Sequence, residues 1–391
     1  MRDIRTPRRA VSAAFALNGM LLGTWASRIP TVMENHGLSE GRFGLLLLVM
    51  GIGALISFPI SGRMADRYGA VKLTHVIGWA YLLSVVMLGL APGPLWLSGA
   101  MLFFGMCHGS MDVTMNSWAT EVEKYLGRSV MSSFHAMWSL GAGLGAASGA
   151  AASWAGLSVA EHFVLAAIVF GAVLQWFAHV PWTSETQPHN PDASAFALPR
   201  GALVLVGLMA LSSGAGEGAV ADWSAVFLSG ELGVTEARAA LGLTVFSVVM
   251  VGMRLVIDRI VTRIGPVTVA RISGLTAAVG LGLVVLSGWL PVALLGFALM
   301  GVGYAAIYPL AFSRAARDPV VPPGQAIASV ATLGYSALLL SPPAIGLIAE
   351  IASLRVAFAL LALLAIMISV LAGVFGQGRS VPLARGATSA E

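Results

Sequence analysis

His108, Asp112 and Asn116 stand at i, i+4 and i+8 within the stretch MCHGSMDVTMN, residues 106–116. That spacing puts all three on one face of a helix, and the surrounding segment is apolar enough to cross a membrane. An ionisable side chain at mid-span costs roughly 2.5–3.5 kcal/mol on insertion scales, so its default reading is functional. Two uses fit the line: the wall of an aqueous cavity, or an interhelical hydrogen-bond clasp worth about 1–2 kcal/mol. Removal from water favours the neutral form of a carboxyl group, which makes Asp112 the expected proton carrier. His135, two turns into the next apolar segment, is a relay to Asp112, a solute contact or a purely structural histidine.

A second polar insertion lies in SSGAGEGAVADWS, residues 212–224. Gly214, Gly216 and Gly218 surround Glu217 and are expected to loosen the helix, freeing backbone groups. Glu217 is the better ligand for solute or proton. Asp222, about 140° further round the helix, lies nearer the outer surface and suits an outer gate. Arg28 can pair with Asp222, bind an anionic solute or snorkel to the surface. Trp25 and Trp223, in related positions of the two halves, suit stacking on a sugar or ring, although packing is the commoner use of tryptophan. Asn18, Tyr304, Tyr308 (before Pro309) and Tyr335 complete the expected solute-binding set. Trp96, Trp154, Trp182 and Trp289 sit at segment ends, as in an interfacial belt. Glu121, Glu123, Lys124 and Arg128 read as a solvated face or an inner gate.

These residues must be positioned by membrane helices. Of 391 residues, 57% are hydrophobic and 10% charged, against about 25% charged in soluble domains. The mean hydropathy is +0.85. Apolar windows fall near 10–33, 42–62, 72–92, 95–120, 129–155, 160–180, 200–229, 237–260, 267–289, 291–316, 325–349 and 355–376. Twelve spans are therefore expected, the first of them retained rather than cleaved as a signal peptide. Pro342-Pro343 should kink the eleventh. The net charge of +4 does not point to nucleic acid, because the basic residues are scattered among short loops. The single Cys107 excludes an internal disulfide.

With the N-terminus inside, inner loops and ends hold 18 of the 22 Lys and Arg residues, among them Arg2, Arg128, Arg379 and Arg385. Arg28, Arg42, Arg238 and Arg355 remain outside. The asymmetry predicts cytoplasmic termini in a bacterial-type inner membrane. Sliding the chain by 196 residues superposes segment 37–78 on the second half. Gly37, Glu40, Arg42, Arg63, Arg67 and Gly69 then meet Gly233, Glu236, Arg238, Arg259, Arg263 and Gly265. The expected organisation is a six-helix bundle over 1–180, a cytoplasmic linker over 181–200 and a second bundle over 201–391 with a short tail. Such a parallel duplication is the plan of carriers in which two bundles rock about a midplane site.

GRMADRYGAVK, residues 62–72, resembles the G-x-x-x-D-R-x-G motif between spans two and three of the major facilitator superfamily. The resemblance implies an all-α fold of twelve transmembrane helices in two pseudo-symmetric bundles. It also implies a gating role for Gly62, Asp66, Arg67 and Gly69, with Asp66 paired across the seam when the inner side is shut. The second copy keeps Arg263 and Gly265 but has Thr262 in the place of Asp66, and Arg254 and Asp258 lie beside it. A narrower resemblance covers nearly the whole chain. NGMLLGTWASRIP (18–30), DVTMNSWATEVEKYLGRSVMSSFHAMWSLG (112–141) and GEGAVADWSAVFL (216–228) are similar to the MosC-like branch, near the fucose-permease-like members, which implies a carrier of a small, sugar-like solute.

Two features of drug/proton antiporters are missing. Met101 stands where they carry an arginine, four residues before Gly105, and GAGLGAASGAA (141–151) has no glycine-proline pair. Drug or metabolite efflux, or a sensor that moves nothing, are the alternatives to uptake. No metal-ligand cluster, nucleotide loop or paired Asp-rich loop is legible, so neither cofactor nor enzymatic reaction is expected. The expected partners are the bilayer, a small polar solute and H⁺, in a secondary transporter working as a monomer.

Overall fold

The computed structural model describes residues 5–127, 130–184, 186, 198–315, 317–321 and 323–376, excepting the side chains of 132, 323–325, 328, 335 and 338. Arg2, Arg128, Arg379, Arg385, most of the 181–200 connection and the Tyr335 side chain lie outside the described residues.

The first half comprises α1 (Pro7–Ser27), the short α2 (Ile29–His36), α3 (Glu40–Tyr68), α4 (Ala70–Gly89), α5 (Pro94–Leu126), α6 (Met131–Trp154) and α7 (Val159–Ala178). The second comprises α8 (Ala202–Leu232), α9 (Glu236–Ala239), α10 (Leu241–Ile264), α11 (Pro266–Leu286), α12 (Leu290–Tyr304), α13 (Ile307–Ala315), α14 (Pro323–Ile351) and α15 (Leu354–Leu371). Among the described residues, ten helices or helix pairs are long and apolar enough to cross a membrane. The long helices α5 and α6 complete the expected twelve; they hold the polar residues 108, 112, 116, 135 and 139. The tenth span is broken into α12 and α13 around Ala305 and Ala306, where Pro309 lacks the N–H that would bond the Ala305 carbonyl. By contrast, α14 runs on through Pro342 and Pro343.

The repeat is written in the backbone as well as the sequence. Gly69 and Gly265, which end α3 and α10, have φ of 90° and 82°, a region closed to side chains with a Cβ. Each is the single residue joining two antiparallel helices. A close approach recurs at the same offset: Gly105 of α5 lies on the Met50 carbonyl of α3, and Gly301 of α12 lies on the Phe246 carbonyl of α10. A Cβ at Gly105 would overlap that carbonyl.

Within the first half α1 packs on α6, α3 on α5 and α4 on α5 and α7. In the second, α8 packs on α14, α10 on α12 and α11 on α12 and α15. Two contacts carry the seam between halves: α3 against α14, and α6 against α10. Peripheral helices show apolar stripes at helical spacing, as on α4 at Val76, Trp79 and Leu83, which suits a lipid-facing wall. Residues 7, 68–70 and 264–266 share one end of the bundle, here the N-terminal face; residues 28–40, 232–241 and 351–354 share the opposite, far face.

Replacing Gly105 with valine must push α3 from α5, at an overpacking cost of about 1–3 kcal/mol. The purified variant should melt several degrees below wild type in detergent, whereas valine at Gly99, which faces open space, should leave the melting temperature within about 1 °C.

Candidate functional site

Four helices of the first half converge on His108. The Tyr81 hydroxyl of α4 sits 2.8 Å from His108 Nδ1. The Asn18 amide of α1 donates to the His108 carbonyl at 3.5 Å, and Asn18 Oδ1 accepts from Trp138 Nε1 of α6 at 3.1 Å. Asn18 and Tyr81 are completely buried. One turn along α5, the Asn116 amide donates to both the Asp112 carbonyl oxygen (2.8 Å) and its carboxylate (3.2 Å). Asp112 and Asn116 are half-buried, and Thr120, the next residue of the line, is exposed. The upper part of the line is therefore a clasp, and its lower part meets open space.

In the second half Glu217 accepts from Ser213 at 3.0 Å and pairs with Arg254 of α10 at 3.4 Å. Arg254 also donates to Ser139 of α6 at 2.8 Å, so the guanidinium joins the two halves. Arg254 lies ten residues from Ile264, about 15 Å up the helix. That depth sets it apart from Asp258, Arg259 and Arg263, with which its sequence position grouped it. His135, one turn before Ser139 and one turn into α6, is exposed, and its ring meets Phe15 edge-on. Tyr304 is buried against Gly216, with its hydroxyl unpartnered. It stands 196 residues after His108, the equivalent place in the repeat. The Tyr308 hydroxyl donates to the Gly334 carbonyl at 3.3 Å. The helix α8 is unbroken through Gly214, Gly216 and Gly218, so the expected loosening there is not seen; Gly216 admits the Tyr304 ring and Gly214 the Tyr308 hydroxyl instead.

Toward the far face the halves are closed on each other. Arg28 Nε meets Glu236 at 3.1 Å, its Nη2 donates to the Leu157 carbonyl, and Thr31 bonds Glu236 as well. The Glu350 carboxylate accepts from the Gly41 N–H at 2.9 Å. Trp25 and Trp223, both fully buried, flank Phe43 at ring distances of 6.3 and 5.5 Å. Arg28 thus pairs with Glu236, not with Asp222. Asp222 is buried on α8 with no hydrogen bond or ion pair among the described residues. The indoles are packing elements of this seal, without an open face for a ring to stack on.

At the N-terminal face Asp66, Arg67, Asp258 and Arg263 are exposed and form no ion pair among the described residues. Arg67 lies over the Tyr68 ring. Gly62 has open space around it. Glu123 accepts from the N–H groups of Val130 and Met131, capping α6, while Glu121 accepts from Trp182 Nε1. These two acids are local clamps.

Sequence reasoning missed Tyr81, Trp138 and Ser139. Tyr81 sits in an apolar run with nothing to separate it from packing aromatics, whereas Ser139, four residues after His135, was findable from helical spacing. Glu236 emerged from the repeat without a role.

Twelve helices in two repeated bundles, meeting around charged residues at mid-depth, define a membrane transporter. A sequence profile of the Major Facilitator Superfamily matches residues 11–319, and the chain belongs to that superfamily. It is 54% identical over 377 residues to an uncharacterized transporter, y4wD, of Sinorhizobium fredii, covering 96% of this chain and 100% of that one. It is 27% identical to the membrane protein MosC of Rhizobium meliloti, over 95% and 90% of the two chains. The nucleoside transporter NupG shares the fold, with a TM-score of 0.77 at 13% identity and 95% and 100% coverage.

The ion pair at the seam makes a double-mutant cycle informative. Glu217→Gln or Arg254→Gln alone leaves one buried charge without its partner, a loss of about 3–5 kcal/mol when fully buried and less at this partial exposure. The double substitution should recover part of that loss, read as a melting temperature above that of Arg254→Gln.

Proposed function

We propose that the protein is a secondary active transporter that carries a small polar solute across the bacterial inner membrane by alternating access, coupled to protons. The observation that carries the reading is the partly exposed Glu217–Arg254 pair tied across the seam to Ser139 at mid-depth. A charged pair in that position is tolerable where water reaches it. The Lys and Arg distribution supports placing the N-terminal face in the cytoplasm. On that assignment the far-face seal is the outer gate, closed, and Asp66, unpaired among the described residues, belongs to an inner gate that is open. Asp112 and Glu217 are the proton-exchanging groups, with His135 beside Arg254. His108, Asn116 and Tyr308 are the solute-facing candidates, with Asn18 and Tyr304 buried behind them. Arg28, Trp25, Asp222 and Trp223 take part when the far face opens. The protein acts as a monomer whose halves rock about the midplane site.

Reconstituted in liposomes with a pH-sensitive dye inside, the wild type should move protons on addition of its solute, sought among monosaccharides, polyols and sugar acids. Asp112→Asn and Glu217→Gln should each abolish that proton movement while still inserting. Wild-type coupled flux in both variants would remove the two carboxylates from the mechanism.

The outer gate can be tested separately. Loss of the Arg28 pair in Glu236→Gln, if worth about 1.4 kcal/mol to the closed far face, shifts the opening equilibrium tenfold. A cysteine at the buried Val32 should then react about ten times faster with an impermeant maleimide than in the parent.

A further inference from the structure

Arg254 is held in a way that leaves most of its guanidinium unused. A guanidinium presents five N–H donors in a planar fork. Ser139 takes one at 2.8 Å and Glu217 another at 3.4 Å, and the other three have no protein acceptor among the described residues. The contact to Glu217 is longer than the 2.7–2.9 Å usual for such charged bonds, so Ser139 sets the position of the guanidinium and the carboxylate is the looser partner. Both charged side chains reach open space, at 16% and 19% exposure. Beside them, the Tyr304 hydroxyl is buried without a partner, its ring on Gly216, the residue preceding Glu217.

We propose that Arg254 anchors a carboxylate carried by the solute, which replaces Glu217 on the guanidinium as Glu217 takes up one proton. This rests on the proton-coupled reading and names its solute class: a small polar molecule bearing a single carboxylate. Charge balances through the exchange. Before it, one guanidinium faces one carboxylate. Afterwards it faces the solute's carboxylate, while Glu217 is a neutral acid whose O–H can donate to a neighbouring oxygen. The proton enters from the open aqueous side and leaves with the solute on the other, so one anion and one H⁺ cross together without net charge. A neutral solute would leave Arg254 without a counter-charge whenever Glu217 is protonated. A dianion would be undercompensated, since Arg254 is the one cation at this depth among the described residues. Arg254 of α10 and Tyr304 of α12 are the charged or titratable groups facing Glu217, with the Ser213 hydroxyl of α8 bonded to it, and His135 of α6 faces Arg254.

Sodium acetate is a sufficient probe, tested on the full-length protein in detergent against sodium chloride at equal ionic strength. Glu217→Gln, which imitates the protonated acid, should show a saturable acetate-dependent rise in melting temperature of at least about 2 °C. The wild type at pH 7.5 and the Glu217→Gln/Arg254→Gln double variant should show none. Lowering the pH of the wild type to 5.5 should bring in the same response, and Arg254→Gln should lack it, which keeps the test available if Glu217→Gln does not fold. Equal acetate responses with and without Arg254, or no response in Glu217→Gln and in wild type at pH 5.5, would overturn the proposal. Loss of proton-coupled flux in Glu217→Gln without any acetate response would remove the solute class and leave proton coupling standing. An acetate response alongside intact coupled flux in both carboxylate variants would do the reverse.

Discussion

A charge at mid-membrane must find an opposite charge, a hydrogen-bond partner or water, because hydrocarbon supplies none of them. Arg254 draws on all three. It pairs with Glu217 in its own half, bonds Ser139 in the other, and turns its remaining donors to open space. Movement of one bundle against the other therefore cannot leave Arg254 unaffected. The polar centre and the relative position of the halves are one physical system.

Polar links between the halves are set asymmetrically along the membrane normal. From Arg254 toward the far face there follow the Phe43–Trp223 contact, the Gly41–Glu350 bond and the Arg28–Glu236 pair. Aromatic packing and partly buried ion pairs are good latches because they are bistable: each is made whole or lost. At the N-terminal face Asp66, Arg67, Asp258 and Arg263 are solvated instead. A solvated Asp66 or Arg67 gains little from pairing, so among the described residues this end holds no comparable latch between the halves in the observed conformation.

Duplication explains the frame but not the centre. Positions 196 apart share loop glycines, helix contacts and gate charges, since both halves solve the same packing problem. Where they meet, the copies diverge. His108 corresponds to Tyr304 and Phe58 to Arg254. One half supplies a neutral hydrogen-bonded network with the lone carboxylate of Asp112, and the other supplies a salt bridge. Packing is conserved between the copies because a helix interface tolerates few shapes, while the chemistry is free to differ where side chains face space.

The twelve spans, the two-fold repeat and the superfamily were legible in the sequence, because lipid imposes length and apolarity on each span separately and a repeat needs no coordinates to be seen. The candidates His108, Asp112 and Glu217 were legible for the same reason: polar residues stand out in an apolar run. Their partners were not. Sequence spacing places residues on a helix face but carries no information on which helix that face meets. Only the tertiary structure moved Arg254 from the loop motif to the centre, joined Arg28 to Glu236 and buried Trp25 and Trp223 in the seal. Those outcomes depend on how two separately folded bundles are tilted together, a property of distances between segments far apart in the chain.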